Sequence, residues 1–159
     1  MTADSVALNT GNDIIDGNGG SQLNVLARGL SMRAGGMIGA AGGATPTENT
    51  NAVDTQVTTV SAAAGEDIYI QEVDNLVIGS VDAVRVDVRQ VNFNSTTTAN
   101  SAGAAILSDL TGGGVIKAVT TAGSLTVTDG SDADGLGVQA TAAGDILLEA
   151  RTAGSDVIT

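Results

Sequence analysis

The feature that most constrains this chain is a corner it uses repeatedly: a small residue or Gly, an acidic residue, then an apolar–any–apolar triplet. The fullest copies are Ala142-Ala143-Gly144-Asp145-Ile146-Leu147-Leu148 and Ala63-Ala64-Gly65-Glu66-Asp67-Ile68-Tyr69-Ile70. Shorter ones stand at Gly11-Asn12-Asp13-Ile14-Ile15 and Gly154-Ser155-Asp156-Val157-Ile158. Gly and Asp suit a tight turn, one by conformational freedom and the other by side-chain to backbone hydrogen bonds. The triplet puts two apolar side chains on one face of a short strand. A repeated unit too small to bury its own apolar face folds by stacking on its neighbours.

Apolar-x-apolar pairs run through most of the sequence: Val6/Leu8, Leu23/Val25, Leu30/Met32, Ile68/Ile70, Leu76/Ile78, Leu125/Val127, Leu136/Val138 and Ile146/Leu148. Period two predicts strands, and no window sustains the 3.6-residue period of a helix. Gly, Asn, Asp and Ser fill the gaps, as in Asp129-Gly130-Ser131-Asp132-Ala133-Asp134-Gly135. The one proline, Pro46, fits strands that are paired on both sides, because proline cannot donate to a ladder.

The core must be thin. Apolar residues are 42% of the 159, yet Tyr69 and Phe93 are the only aromatics. Val, Ile, Leu and Ala in narrow rows suit a stacked coil better than a broad two-layer interior. The sequence therefore predicts an all-β, single-domain parallel β-helix (β-solenoid) over 1–159, with two or three strands per coil. Rungs ~4.8 Å apart give about six to eight coils and a rod about 30–40 Å long. A β-sandwich is the alternative. The expected inward row is Val6, Leu8, Leu23, Val25, Leu30, Met32, Ile68, Ile70, Leu76, Ile78, Val84, Val86, Val88, Leu125, Val127, Leu136, Val138, Ile146 and Leu148. Two segments lack the rhythm and are expected to be loop excursions, near 40–56 and 92–105. Between them Val84-Arg85-Val86-Asp87-Val88-Arg89 reads as the longest strand. Its Arg-Asp-Arg row is a solvated, mutually paired face or an anion-binding patch.

Charge excludes one class of partner. Six basic against 18 acidic residues give a net charge of −12, with no histidine. Nucleic acid, whose phosphates require neutralising cations, is excluded. The absence of cysteine removes disulfides and thiolate chemistry. The start, Met1-Thr2-Ala3-Asp4-Ser5-Val6, is not a signal peptide, and no apolar run is long enough to insert in a membrane.

Several stretches together resemble a known family. Gly35-Gly36-Met37-Ile38-Gly39, Val53-Asp54-Thr55-Gln56-Val57, Gly65-Glu66-Asp67-Ile68-Tyr69-Ile70 and Asn75-Leu76-Val77-Ile78-Gly79-Ser80-Val81 are similar to units of giant repetitive bacterial surface proteins, the filamentous-haemagglutinin-like adhesins. Thr121-Ala122-Gly123-Ser124-Leu125-Thr126-Val127 and Ala143-Gly144-Asp145-Ile146-Leu147-Leu148 resemble the short strand repeats of the same proteins. The likeness is one of style and carries over no catalytic residue. It implies a right-handed winding, a place at the bacterial cell surface or outside the cell, and roles in adhesion, surface architecture or biofilm matrix.

Chemistry is sparse. The best ligand expectation is Ca²⁺. Asn12-Asp13-Ile14-Ile15-Asp16-Gly17-Asn18-Gly19-Gly20 looks like one turn of a calcium-binding β-roll nonapeptide, making Asp13 and Asp16 candidates. Asp129, Asp132 and Asp134 sit like part of an EF-hand loop, but Gly130 and Thr141 stand where that loop needs its first and last ligands. Turn formation is the competing reading of all five. Cleavage of acidic polysaccharide would need paired carboxylates, or Ca²⁺ with a base, and the chain has no aromatic platform for a sugar. A cleft gathering carboxylates around Arg85 or Lys117 would favour it. The threonines, as at Thr96-Thr97-Thr98, keep no fixed period and read as outward strand positions rather than an ice- or mineral-binding face. Asn94-Ser95-Thr96 is a sequon that informs only in a eukaryotic host.

The expected function is structural and non-enzymatic: a repeat that stacks or is chained into a surface fibre. Its partners would be other copies or flanking repeats, joined through Val6 and Leu8 at one end and Val157 and Ile158 at the other. The alternative is an adhesin module that binds a surface receptor or glycan through its excursions.

Overall fold

The computed structural model describes residues 3–18, 22–42 and 49–159. These residues form fourteen strands and no helix. One wall of the molecule begins with β1 (Ala3–Thr10), which pairs with β2 (Val25–Ala34), which pairs in turn with β4 (Thr59–Ala64). The first residues of β4 then face β6 (Leu76–Ile78), and its last three face β9 (Leu110–Gly112). β11 (Leu125–Val127) lies on β6, β12 (Val138–Ala140) on β9, and β14 (Val157–Ile158) on β11. The second wall starts from the first two residues of β2. They pair with β3 (Val53–Gln56), followed by β5 (Ile68–Glu72), β10 (Ile116–Thr120) and β13 (Ile146–Ala150).

All these ladders are parallel, and β2 joins the two walls into one twelve-stranded sheet. A β-sandwich would pair its strands antiparallel. The chain is a parallel β-solenoid with two strand positions per coil, one on each wall, and it runs five coils into a sixth. At ~4.8 Å per rung that is about 24 Å of stack, shorter than the sequence predicts. The excursions account for the difference. Successive rungs of the first wall align Ser5 with Gly29, Gly29 with Thr59, Thr59 with Val77, Leu76 with Leu125 and Leu125 with Val157, so the coils consume 24, 30, 18, 49 and 32 residues.

The register sorts the core into columns. Val6, Leu30, Val60 and Ile78 lie over one another on the first wall, as do Leu8, Met32, Ala62, Leu110 and Val138. On the second wall an isoleucine recurs in every coil: Ile14, Ile38, Ile68, Ile116 and Ile146. Beside it stand Val53, Ile70, Ala118 and Leu148. Between the end rungs each residue is covered by the one above and covers the one below. A two-strand coil whose core cluster is wholly aliphatic therefore still buries a continuous interior.

The Gly-Asp corner leads from the first wall to the isoleucine column. Its glycines are stacked so closely that a Cβ on Gly65 would meet the Gly35 carbonyl oxygen, and one on Gly113 the Gly65 oxygen. Coil-to-coil bonds from the amides of Gly35, Gly65 and Gly113 hold the corner together, to Thr10, Ala34 and Ala64. Three of the four copies read from the sequence lie here. The fourth, Gly154-Ser155-Asp156-Val157, belongs to the opposite corner, where Val157 stands over Leu125.

Other expectations are corrected. Val84, Val86 and Val88 are not core. Among the described residues β7 (Val84–Val91) pairs only with β8 (Thr97–Ala104), antiparallel, in a separate two-stranded sheet whose Val86 and Val88 are exposed. The expected excursion at 92–105 is the turn and return strand of this hairpin, within a longer departure between β6 and β9. The expected excursion at 40–56 ends sooner, because Val53–Gln56 is β3. Two further departures, after Ile14 and between β11 and β12, hold Leu23 and Leu136, both exposed. A period of two marks a strand and does not say whether the strand has a core to face. Gly19, Gly20, Pro46 and most of the stretch from Ala44 to Asn51 lie outside the described residues.

Candidate functional site

Two places stand out: the open ends of the stack and an acidic cluster at the root of two excursions. At the ends, identical chemistry meets different surroundings. Ile116 is fully buried and Ile146, stacked directly on it, is 45% exposed. Val157 and Ile158 are likewise exposed on the last rung, whereas Leu125 beneath Val157 is buried. Val6 and Leu8 are half-buried in β1 at the other end. Among the described residues β1, β13 and β14 each pair along one edge only. The four residues expected to mediate self-association thus lie on the two terminal rungs of the solenoid.

The hairpin of β7 and β8 projects from the fourth coil with both faces in solvent, and Phe93 at its tip is fully exposed. On one face Arg85 donates to Asp87 at 2.8 Å and to Ser101 at 2.9 Å, and Ser101 donates to Asp87 at 2.6 Å. These bonds hold the Asp87 carboxyl below its usual range. The Arg-Asp-Arg row is therefore partly self-paired.

The acidic cluster joins residues far apart in sequence. Asp109 immediately precedes β9 and closes the departure that carries the hairpin; Asp132 and Asp134 belong to the loop between β11 and β12, one coil on. One carboxylate oxygen from each of the three lies within 4.8 Å of the others. Burial, with Asp132 beside it, pushes the Asp109 carboxyl up to about 6. Next to it the hydroxyls of Ser80, Ser108 and Ser131 bond to one another, and the Ser131 amide donates to Ser80 Oγ at 2.6 Å.

The other calcium candidates are placed differently. Asp13 spends one oxygen on the Met37 amide at 2.9 Å, bracing the glycine corner. Asp16 receives the Asn18 amide and the Asn24 side chain, both at 3.0 Å. Asp129 receives the Gly135 amide at 2.8 Å. Asp132 and Asp134 are brought together, Asp13 and Asp16 are not among them, and sequence reasoning missed Asp109. Only its position between two apolar residues, Leu107 and Leu110, hints at a corner.

Glu72 was also missed. It is wholly buried at the second corner, and its carboxylate accepts from Thr55 Oγ1 at 2.7 Å and from the amides of Val57, Val73 and Asp74 at 2.9–3.3 Å. Desolvation outweighs these donors and raises its pKa to about 7. The carboxyl ties the third coil to the second.

An open groove of about 670 Å³ runs along the first wall beside the hairpin root, lined by Asp4, Arg28, Thr59, Ser80 and Asp82 among others. Neither Arg85 nor Lys117 lines it, so the arrangement that would favour polysaccharide cleavage does not form there. Among the described residues no helix is long and apolar enough to cross a membrane. No protein-family model, no curated protein and no solved structure matches the chain.

Proposed function

We propose that this chain is a structural, non-enzymatic repeat of an extracellular or bacterial cell-surface fibre or matrix, which stacks end to end on copies of itself or on flanking repeats. The observation that carries the reading is the bare Ile146 on top of the buried Ile116. The outermost described rung carries a full aliphatic side chain beside unpaired strand edges, which are templates for the strand of a copy or of a flanking repeat. The likeness to filamentous-haemagglutinin-like repeats points the same way.

The test is assembly of the purified chain. Light scattering across a concentration series, with negative-stain imaging, should show filaments that grow with concentration. The double substitution Ile146→Asp, Val157→Asp should return monomers of unchanged secondary structure. A chain that stays monomeric at high concentration and images as compact particles defeats the reading.

The hairpin favours a second reading, an adhesin module that binds a surface receptor or glycan. A lone two-stranded ribbon is marginal in water, and this one exposes Val86, Val88, Val91 and Phe93. Replacing 84–104 by a short turn should abolish surface binding and leave assembly intact. Binding that survives the deletion removes the hairpin from that role.

A further inference from the structure

Asp109 is only 5% exposed, and its Oδ1 is buried without a hydrogen-bond partner. An ionised oxygen in that position is costly unless a cation meets it. Asp132 lies within hydrogen-bonding reach of the same carboxyl, and Asp132, Asp134 and Asp129 all act on it with charge of its own sign. The loop from Asp129 to Gly135 is folded so as to bring them there. Gly130, Ala133 and Gly135 adopt positive φ, and the Leu136 amide fixes Asp134 at 2.9 Å. Nothing in this arrangement helps the core: the loop is exposed, and apposing three carboxylates opposes folding.

We propose that Asp109, Asp132 and Asp134 bind one Ca²⁺ ion, which clamps the excursion of the fifth coil onto the foot of the excursion of the fourth. The donors are all carboxylate oxygens, which selects a hard cation over zinc or copper. Oxygens within 4.8 Å of one another fit around a single ion at the ~2.3–2.6 Å typical of Ca²⁺. Water completes the shell on the exposed side of Asp132 and Asp134. The site joins consecutive coils through residues 23 and 25 positions apart in sequence, so it exists only once the coils have stacked. It differs from the nonapeptide turn at Asp13 and Asp16, whose carboxylates are engaged elsewhere.

Isothermal titration of CaCl₂ into the EDTA-treated chain tests it, with thermal melts in EDTA and in Ca²⁺ alongside. One ion per chain should bind with a Kd of about 10⁻⁴–10⁻³ M, the range of extracellular calcium modules, and the melting midpoint should rise. Asp109→Asn should weaken binding at least ~10-fold and cancel the rise. Asn suits the positive φ of residue 109, so the fold survives the change. Asp134→Asn, on an exposed loop, should do the same, and Asp13→Asn should leave Ca²⁺ binding and the Ca²⁺-induced rise unchanged. Absence of saturable heat up to about 10 mM, well above that range, overturns the site. So does saturable binding that Asp109→Asn and Asp134→Asn leave intact.

Discussion

The carboxylate of Asp67 accepts a 2.7 Å hydrogen bond from the amide of Val115, 48 residues later in sequence and the next rung in space. Asp13 does the same for Met37. Along the corner the residues in this position run Asp13, Met37, Asp67, Val115, Asp145. An acid in one coil braces an amide in the next, and that amide's own residue is apolar. Asp67→Ala should therefore cost about 1.5–3 kcal/mol, the worth of a hydrogen bond to a charged group. Asp67→Asn, which keeps the acceptor oxygen, should cost less. Urea denaturation of the two variants checks the order, and equal losses would mean that the bond is not what matters there.

The glycine column makes a sharper forecast, because one of its members is a built-in control. A Cβ on Gly65 would run into the Gly35 carbonyl oxygen, whereas one on Gly11, at the end of the same column, meets nothing within 4 Å. Both side chains cannot be accommodated equally. Gly65→Ala should lose about 3 kcal/mol or more by forcing the coils apart, and Gly11→Ala should fall within about 1 kcal/mol of the parent. Thermal melts of the pair decide it.

Position in the isoleucine column should scale the cost of truncation. Ile116→Ala leaves a cavity between Ile68 and Ile146 and should cost about 2–5 kcal/mol. Ile146→Ala removes atoms that are already 45% exposed and should cost less than half as much in the monomer. In the assembled form the two values should converge, since the next rung would cover Ile146. Hydrogen exchange of β13 in the two states reads this out.

Stability should rise as the solution is made mildly acid. Glu72 titrates at about 7 in the folded chain against an ordinary 4.5, so between those values the folded state holds a proton that the unfolded state has released. Its contribution is complete below about 4.5 and is lost as pH rises through 7, on the order of 3 kcal/mol in all. Asp109, raised to about 6, works in the same direction. In EDTA the urea midpoint should be higher at pH 5 than at pH 8, and Glu72→Gln should flatten the slope. A midpoint that climbs with pH contradicts the assignment.

Much of the architecture was legible in the residues, for local reasons. An apolar–any–apolar triplet can present one apolar face only as a strand, and Gly followed by Asp can turn the chain and tie it down with nearby atoms. Strand character, corners, absence of helix and the aliphatic make-up of Leu30, Ile68, Ile70 and Leu125 follow from that. Val84, Val86 and Val88 satisfy the same local rule as Ile68 and Ile70, yet they lie in a ribbon with no interior to face. Asp109, Asp132 and Asp134 meet, while Asp13 turns to a backbone amide. Glu72 disappears into a corner where no charge was expected. These outcomes rest on which rung lies on which. The coils are 24, 30, 18, 49 and 32 residues long, so the columns keep no constant spacing that a reader of the sequence could follow. Chemistry within a few residues set the strands and turns by itself. Burial, the pairing of distant carboxylates and the exposure of Ile146 were decided by stacking, because each depends on atoms contributed by another coil.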